Sequence, residues 1–314
     1  MTITVIGHFC FDVIEHPSGD EIHSYGGIFF SVTALASLLG QHDTVFPVFG
    51  VGKADYDSLI ERLKAHPNVN TSGIFKFNDL TNKVRLIYSS KEKRIECSKN
   101  ISEPIPWKRI RPFLESDMIL VNMISGFDIT LETLDEIRME IREKQTPIYL
   151  DVHCLACGIN PDFTRFFRPI DTWRRWFFML HGVQMNEDEA ASISSERFDD
   201  ATLAKHILAL NTKTLHITRG ERGSTVFINE NKNIKRFDIA GIEPEKAVDT
   251  TGCGDVFAAA YCKHYLKTKD VVASTEFANK VASFNAQIFG SKEIEKLHMF
   301  NLELEKDVLQ ERKA

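Results

Sequence analysis

The sequence predicts an α/β protein, a doubly wound and mostly parallel sheet with helices on both faces and a small β-lid. Short apolar runs alternate along the chain with amphipathic stretches of helical length, the pattern of βαβ units. The length of 314 residues exceeds the usual single-domain mode yet fits one large α/β domain, residues 1–314, with an appendage. Two segments, 10–25 and 74–106, break the alternation and are expected to supply that appendage.

The apolar runs at residues 3–6, 45–51, 118–122, 148–152, 182–185 and 214–217 read as strands. Between them, residues 28–39, 56–65, 131–143 and 187–193 carry helical patterns, and the crossovers are expected to be right-handed. Residues 10–25 follow the first strand without a helix pattern. Residues 83–88 and 94–98 flank a charged turn at 90–93 and read as a hairpin. These two segments are either surface decoration or a small sheet closing over a substrate site. Near the C-terminus, residues 255–267 lack glycine and proline and are strongly helix-forming. A further helix is expected at 275–289, and residues 302–314 read as a frayed amphipathic helix.

Composition narrows the class of function. Hydrophobic residues make up 43% and charged residues 26%, ordinary for a globular protein with a large core. Net charge is −6 with the basic residues dispersed, which argues against a nucleic-acid partner. No stretch approaches the roughly 18 apolar residues of a membrane span, and the chain opens directly on a strand pattern, so a cytoplasmic protein without a membrane partner is expected. Six cysteines show no disulfide-scaffold density. Cys154-Leu-Ala-Cys157 after His153 resembles half of a zinc site, but no second pair completes it, and reduced thiols are the default.

The most informative run is Asp249-Thr-Thr-Gly-Cys-Gly-Asp255. Gly252 and Gly254 let the amides around Cys253 turn inward together, at the start of a helix whose N-terminus favours an anion. Asp255 at the rim is no phosphate ligand, but it could take a proton from an attacking hydroxyl. Taken alone, the run fits a tight structural turn as well as it fits phosphoryl transfer. Other phosphate motifs fail. Gly50-Val-Gly52-Lys53 has Pro47 and Ala54 where a Walker loop needs glycine and serine or threonine, and Asp55 spoils a dinucleotide fingerprint. A nicotinamide oxidoreductase is disfavoured on the same ground.

In chain order, the motifs resemble the ribokinase-like (PfkB) carbohydrate kinase family. Gly7 and Asp12 after the first strand, Gly26-Gly27 opening a helix, Asn186-Glu-Asp-Glu189, Thr218-Arg-Gly220-Glu-Arg-Gly223 and the Asp249–Asp255 run carry the resemblance over nearly the whole chain. It implies an ATP- and Mg²⁺-dependent kinase acting on a hydroxyl of a small sugar or polyol. Asp255 would be the general base, and the amides of Gly252, Cys253 and Gly254 the anion hole. Glu189 would orient Mg²⁺ through water, with Asn186 beside it, although Asn followed three residues later by Glu also makes a helix capping box. Thr218, Gly220, Gly223 and Asn279 would sit at the nucleotide, Asn279 otherwise being solvated helix surface. Asp12, Gly26, Gly27 and Ser31 would meet the acceptor, and a monovalent cation could lie near Asp249.

Cys253, Ser31 and His153 depart from the family pattern, the last two at positions expected to face the acceptor. The run Val5–Asp12 and the pair Phe29-Phe30 lie nearer the inositol-kinase-like branch. An inositol- or nucleoside-kinase-like member, or a non-catalytic sugar or nucleotide sensor on the same fold, are the alternatives. A lid edge strand could pair two copies as a homodimer.

Overall fold

A computed structural model of the chain describes residues 1–15, 19, 21–77, 79–88, 94–231 and 233–300. Its centre is a nine-stranded sheet. From one edge the strands run Asn233–Ile239, Ser224–Glu230, Thr214–Thr218, Gly182–Asn186, Ile148–Asp151, Met118–Asn122, Thr2–Ile6, Thr44–Val51 and Ile74–Lys76. The seven strands from Thr214–Thr218 onward are parallel. The other two join antiparallel, an edge hairpin that the apolar pattern did not reveal. Strand Asn233–Ile239 is largely exposed and polar, so it has no buried run to betray it.

Helices cover both faces. Ile28–Leu38 is buried along its whole length and packs on Cys253–Thr268, which packs in turn on Val271–Asn285. Leu131–Glu140 packs with the short helix Trp173–Trp176. Helix Val271–Asn285 begins and ends four residues before the stretch expected from sequence. Asp270 caps it by accepting from the Ala273 amide at 3.0 Å, and that cap sets the start.

A second sheet of four strands is built from Glu21–Gly27, Phe9–Glu15, Asn82–Tyr88 and Arg94–Lys99, in that order. Both segments that broke the βαβ rhythm contribute to it. Ile74–Lys76 instead closes the edge of the large sheet, so the start of the 74–106 segment belongs to the main body. Residues 90–93, where the hairpin turn was expected, and 302–314, where the C-terminal helix was expected, lie outside the described residues, as do 16–18 and 20 of the 10–25 segment. A two-stranded ribbon, Cys157–Ile159 with Arg165–Phe167, docks on the free edge of the small sheet through Ser98 N to Phe163 O at 3.0 Å and a bridge between Cys97 and Thr164.

Candidate active site

Four neighbouring parallel strands end in polar residues: Asn122, Asp151, Asn186 and Thr218. The register pairs Asn122 with Asp151 and Asn186 with Thr218, so these side chains meet along the carboxyl edge of the sheet. That edge is where open α/β sheets bind ligands.

Helix Cys253–Thr268 starts above it. Gly252 is its N-cap residue with φ 79°, and a Cβ there would lie 2.3 Å from the Phe30 ring. Glycine is thus required both by the left-handed backbone and by the close approach of Phe30. The amide of Gly254 lies in the first turn, where a helix offers no internal acceptor. A Cβ on Gly254 would meet nothing nearer than Gln184 Nε2 at 3.8 Å. Gln184 donates to the Gly254 carbonyl at 2.9 Å, and Tyr149 donates to Gln184 at 3.3 Å, a buried brace under the helix start. The Cys253 amide donates to Thr250 O at 3.2 Å, and its thiol is turned toward Ala282 O at 3.4 Å. Asp249 accepts from the Thr251 and Gly290 amides at 2.9 and 3.0 Å, so both carboxylate oxygens brace the loop.

Asp255 is buried, 6% exposed, and accepts from Asn122 Nδ2 at 2.6 Å. It lines a cleft together with Asp12, His153, Arg165, Glu96 and Thr251. Phe30, Val84, Leu86 and Ile124 form the apolar walls, with Gly27 and Gly252 at the backbone. The small sheet contributes Asp12, Val84, Leu86 and Glu96, so the cleft lies between the two sheets.

The expected acceptor residues separate into two groups. Asp12 and Gly27 line the cleft. Gly26 does not: a Cβ there would fall 2.0 Å from the Asp12 carboxylate, so this glycine makes room for Asp12. Gly27, at φ 60°, turns the chain from strand into helix, and Ile28 N donates to His8 O at 3.1 Å. Ser31 is fully buried behind Asp255. It donates to the Asp255 carbonyl at 3.4 Å and accepts from Asn122 at 3.2 Å.

Asn186 and Glu189 form a reciprocal capping box. Asn186 Oδ1 accepts from the Glu189 amide at 2.9 Å, Glu189 Oε2 from the Asn186 amide at 2.8 Å, and Glu189 Oε1 from Asn186 Nδ2 at 2.7 Å. Burial, then the nearby Asp151 charge, pushes the Glu189 carboxyl well above its usual range. Burial raises Asp151 to about 7 as well, with Asp255 adding to the rise and His153 opposing it. His153 takes φ 37°, a conformation uncommon outside glycine and often stored at functional sites. Burial opposes its cation, but the Cys154 sulfur 3.1 Å from Nδ1, and then Asp255 and Asp151, lift its pKa to about 10.

Thr218 ends its strand, and Gly220 and Gly223 shape the following turn at φ 57° and 89°, with open space around Gly220. Asn279 is not solvated surface. It is 8% exposed and its Nδ2 donates to Ile239 O at 3.4 Å. Asn122, Gln184, Glu96 and Arg165 were not singled out from sequence. A polar residue closing the apolar run 118–122 was a usable signal for Asn122; none existed for Arg165, which reaches the cleft only because its ribbon folds back.

The model of the pfkB family carbohydrate kinase matches residues 168–296. A cytidine kinase of Thermococcus kodakarensis is 26% identical over 84% of this chain and 88% of its own. A ribokinase of Bacillus subtilis is 35% identical, over 34% of this chain and 33% of its own. A pyrophosphate-dependent kinase in the ribokinase family has the same fold, with a TM-score of 0.77 at 17% identity over 95% of this chain and 99% of its own.

Proposed function

We propose that this chain, a member of the ribokinase-like (PfkB) carbohydrate kinase family by the model matched over residues 168–296, phosphorylates a hydroxyl of a small sugar or polyol with ATP as donor. One observation carries this reading. Asp255 stands in the first turn of a helix whose start is shaped by Gly252, and its carboxylate opens into the same cleft as Asp12. Asp12 accepts from acceptor hydroxyls and holds the acceptor against the Gly27 backbone. Asp255 accepts the proton of the attacking hydroxyl as its oxygen bonds to phosphorus. The amides of Gly252, Cys253 and Gly254, at the positive end of the helix, stabilise the phosphoryl oxygens. In this role the Cys253 amide exchanges its Thr250 partner for the phosphoryl group.

Thr218, Gly220 and Gly223 border the donor phosphates, and Asn279 supports the adenine side. Magnesium fits the donor set at one remove. Glu189 and Asp151 are buried acids whose pKa is raised chiefly by burial, the Asp151 charge adding to the rise at Glu189, and a divalent cation nearby would relieve both. Among the described residues no cluster of three or more acidic, His or Cys side chains could ligate a metal directly, which suits an ion held through its water shell. When bound, the ion neutralises charge on the donor phosphates. A monovalent cation near Asp249 remains part of this reading.

Similarity to a pyrophosphate-dependent kinase favours one second reading, with pyrophosphate in place of ATP. A release assay settles the donor. Purified protein is given MgATP or magnesium pyrophosphate with sugars, inositols and nucleosides, and ADP or phosphate is measured. The Asp255→Asn variant should keep donor binding and lose turnover by orders of magnitude; near-normal turnover sinks the base.

A further inference from the structure

The cleft that Asp255 lines also holds an ion pair that the phosphoryl chemistry leaves without a role. Arg165, from the ribbon Cys157–Ile159 with Arg165–Phe167, has a side chain only 7% exposed. Its Nη1 donates to Glu96 Oε2 at 2.9 Å and lies 2.7 Å from Cys154 Sγ. Its Nε donates to Ser98 Oγ at 2.6 Å, and Nη2 to Ile124 O at 3.4 Å. The guanidinium is therefore gripped by the small sheet, the loop after Asp151 and the loop after Asn122 at once. A buried Arg–carboxylate pair contributes little net stability, because desolvation offsets most of the attraction. Its geometry, by contrast, is rigid, and both members open into the cleft.

The charges around the cleft have a definite sense. Three acids, Asp12, Glu96 and Asp255, face two bases, His153 and Arg165. The guanidinium is already matched by Glu96, so an ionised acceptor would meet an acidic excess. A neutral polyhydroxylated acceptor meets donors and acceptors alternately: Asp12 and Glu96 accept from hydroxyls, and Arg165 donates to an acceptor oxygen. Glu96 lies across the small sheet from Leu86, on the face that carries the apolar wall, so it meets the acceptor from the side opposite the large sheet.

We propose that Glu96 and Arg165 are specificity-determining residues that select a neutral polyol or sugar and reject an acceptor carrying an ionised carboxylate. The inference rests on the kinase reading of the cleft, but its test is a binding measurement that needs no turnover. Calorimetric titration compares ribose and myo-inositol with gluconate, on the wild type, Glu96→Gln and Arg165→Met, in the presence of MgADP. The wild type should bind a neutral compound and exclude gluconate. Arg165→Met should weaken that binding at least about tenfold, the loss of one charge-assisted hydrogen bond. Glu96→Gln keeps the shape and a partner for Arg165 while leaving its charge unmatched, so it should gain gluconate binding by about tenfold or more. That gain is a signal a structural role would not produce, and it stands even if Arg165→Met folds poorly. A wild type that prefers gluconate, one that binds none of the three, or a Glu96→Gln variant with wild-type selectivity overturns the proposal. Wild-type binding that obeys this pattern, with no transfer from ATP or pyrophosphate, supports the pair and sinks the kinase reading.

Discussion

Asn122 donates a 2.6 Å hydrogen bond to Asp255 Oδ1, joining the end of a central strand to the start of a helix 133 positions later. Asn122 is fully buried, and the same amide donates to Ser31 Oγ at 3.2 Å. A base that takes a proton from an attacking hydroxyl must present the right oxygen at the right angle. Held this way, Oδ1 is committed to Asn122 and the carboxylate cannot rotate freely. Replacing Asn122 with Ala removes one charge-assisted hydrogen bond of about 1.5–3 kcal/mol, which corresponds to a fall in kcat of roughly 10- to 100-fold. KM for the acceptor should change little, because Asp12 and Gly27 are untouched. Steady-state kinetics with a saturating donor check the split, and an unchanged kcat would show that Asn122 only fills space.

Gly252 supplies a test of the helix start that does not touch a catalytic side chain. Gly252→Ala forces a Cβ into the Phe30 ring at a residue with φ 79°. The left-handed backbone alone costs about 1–2 kcal/mol, and the overlap about 1–3 kcal/mol more unless Phe30 moves. Urea denaturation should record that loss. Gly254→Ala is the matched control: its Cβ has room and its backbone is helical, so stability should hold or rise slightly. If the Gly254 amide meets the phosphoryl group as proposed, the effect of the added methyl should appear in activity instead.

How much of this was legible in the sequence follows from which interactions are local. The turn at Gly252, the helix after it and the capping box of Asn186 and Glu189 depend on residues within a few positions, so their spacing disclosed them. The alternation of apolar runs disclosed the parallel sheet for the same reason. Asn122 on Asp255 and Arg165 on Glu96 join positions far apart in sequence, and no local pattern carries such information. Gly26 is instructive in another way. Its pairing with Gly27 pointed to acceptor contact, whereas its bare Cα accommodates the Asp12 carboxylate from the neighbouring strand, a contact set by cross-strand register.

Asp151 introduces a pH dependence near neutrality. Its pKa is raised from 3.8 to about 7, mainly by burial, then by Asp255 against the opposing His153 charge. A carboxyl that binds its proton more tightly in the folded state contributes stability that is fully present below pH 3.8. That contribution is lost as pH rises through about 7. His153, raised from 6.5 to about 10, contributes stability present below 6.5 and lost as pH rises through about 10. Between pH 5 and 6 Asp151 contributes on the order of 1 kcal/mol per pH unit to the slope, alongside Glu189, whose carboxyl is also raised by burial. Urea denaturation across that window should show wild-type stability falling as pH rises, and Asp151→Asn should flatten the slope. A slope unchanged by the substitution would mean that Asp151 is already ionised in the folded protein.

The capping box allows structure and cofactor chemistry to be separated at Glu189. Glutamine at that position still accepts from the Asn186 backbone amide, so Glu189→Gln keeps the reciprocal box but loses the bond that Oε1 accepts from Asn186 Nδ2. It also removes a carboxyl whose charge is disfavoured by burial and by Asp151, which offsets that loss, so folding stability should stay within about 1 kcal/mol of the wild type. Asn186→Ala breaks the box and should cost about 1 kcal/mol. If Glu189 orients Mg²⁺ through water, Glu189→Gln should raise the Mg²⁺ concentration for half-maximal activity by at least about tenfold, one lost charge-assisted contact. Stability and Mg²⁺ demand would then move independently in the two variants. A Glu189→Gln enzyme with the wild-type Mg²⁺ response would confine Glu189 to holding the helix start, and the charge near the donor would have to come from Asp151 instead.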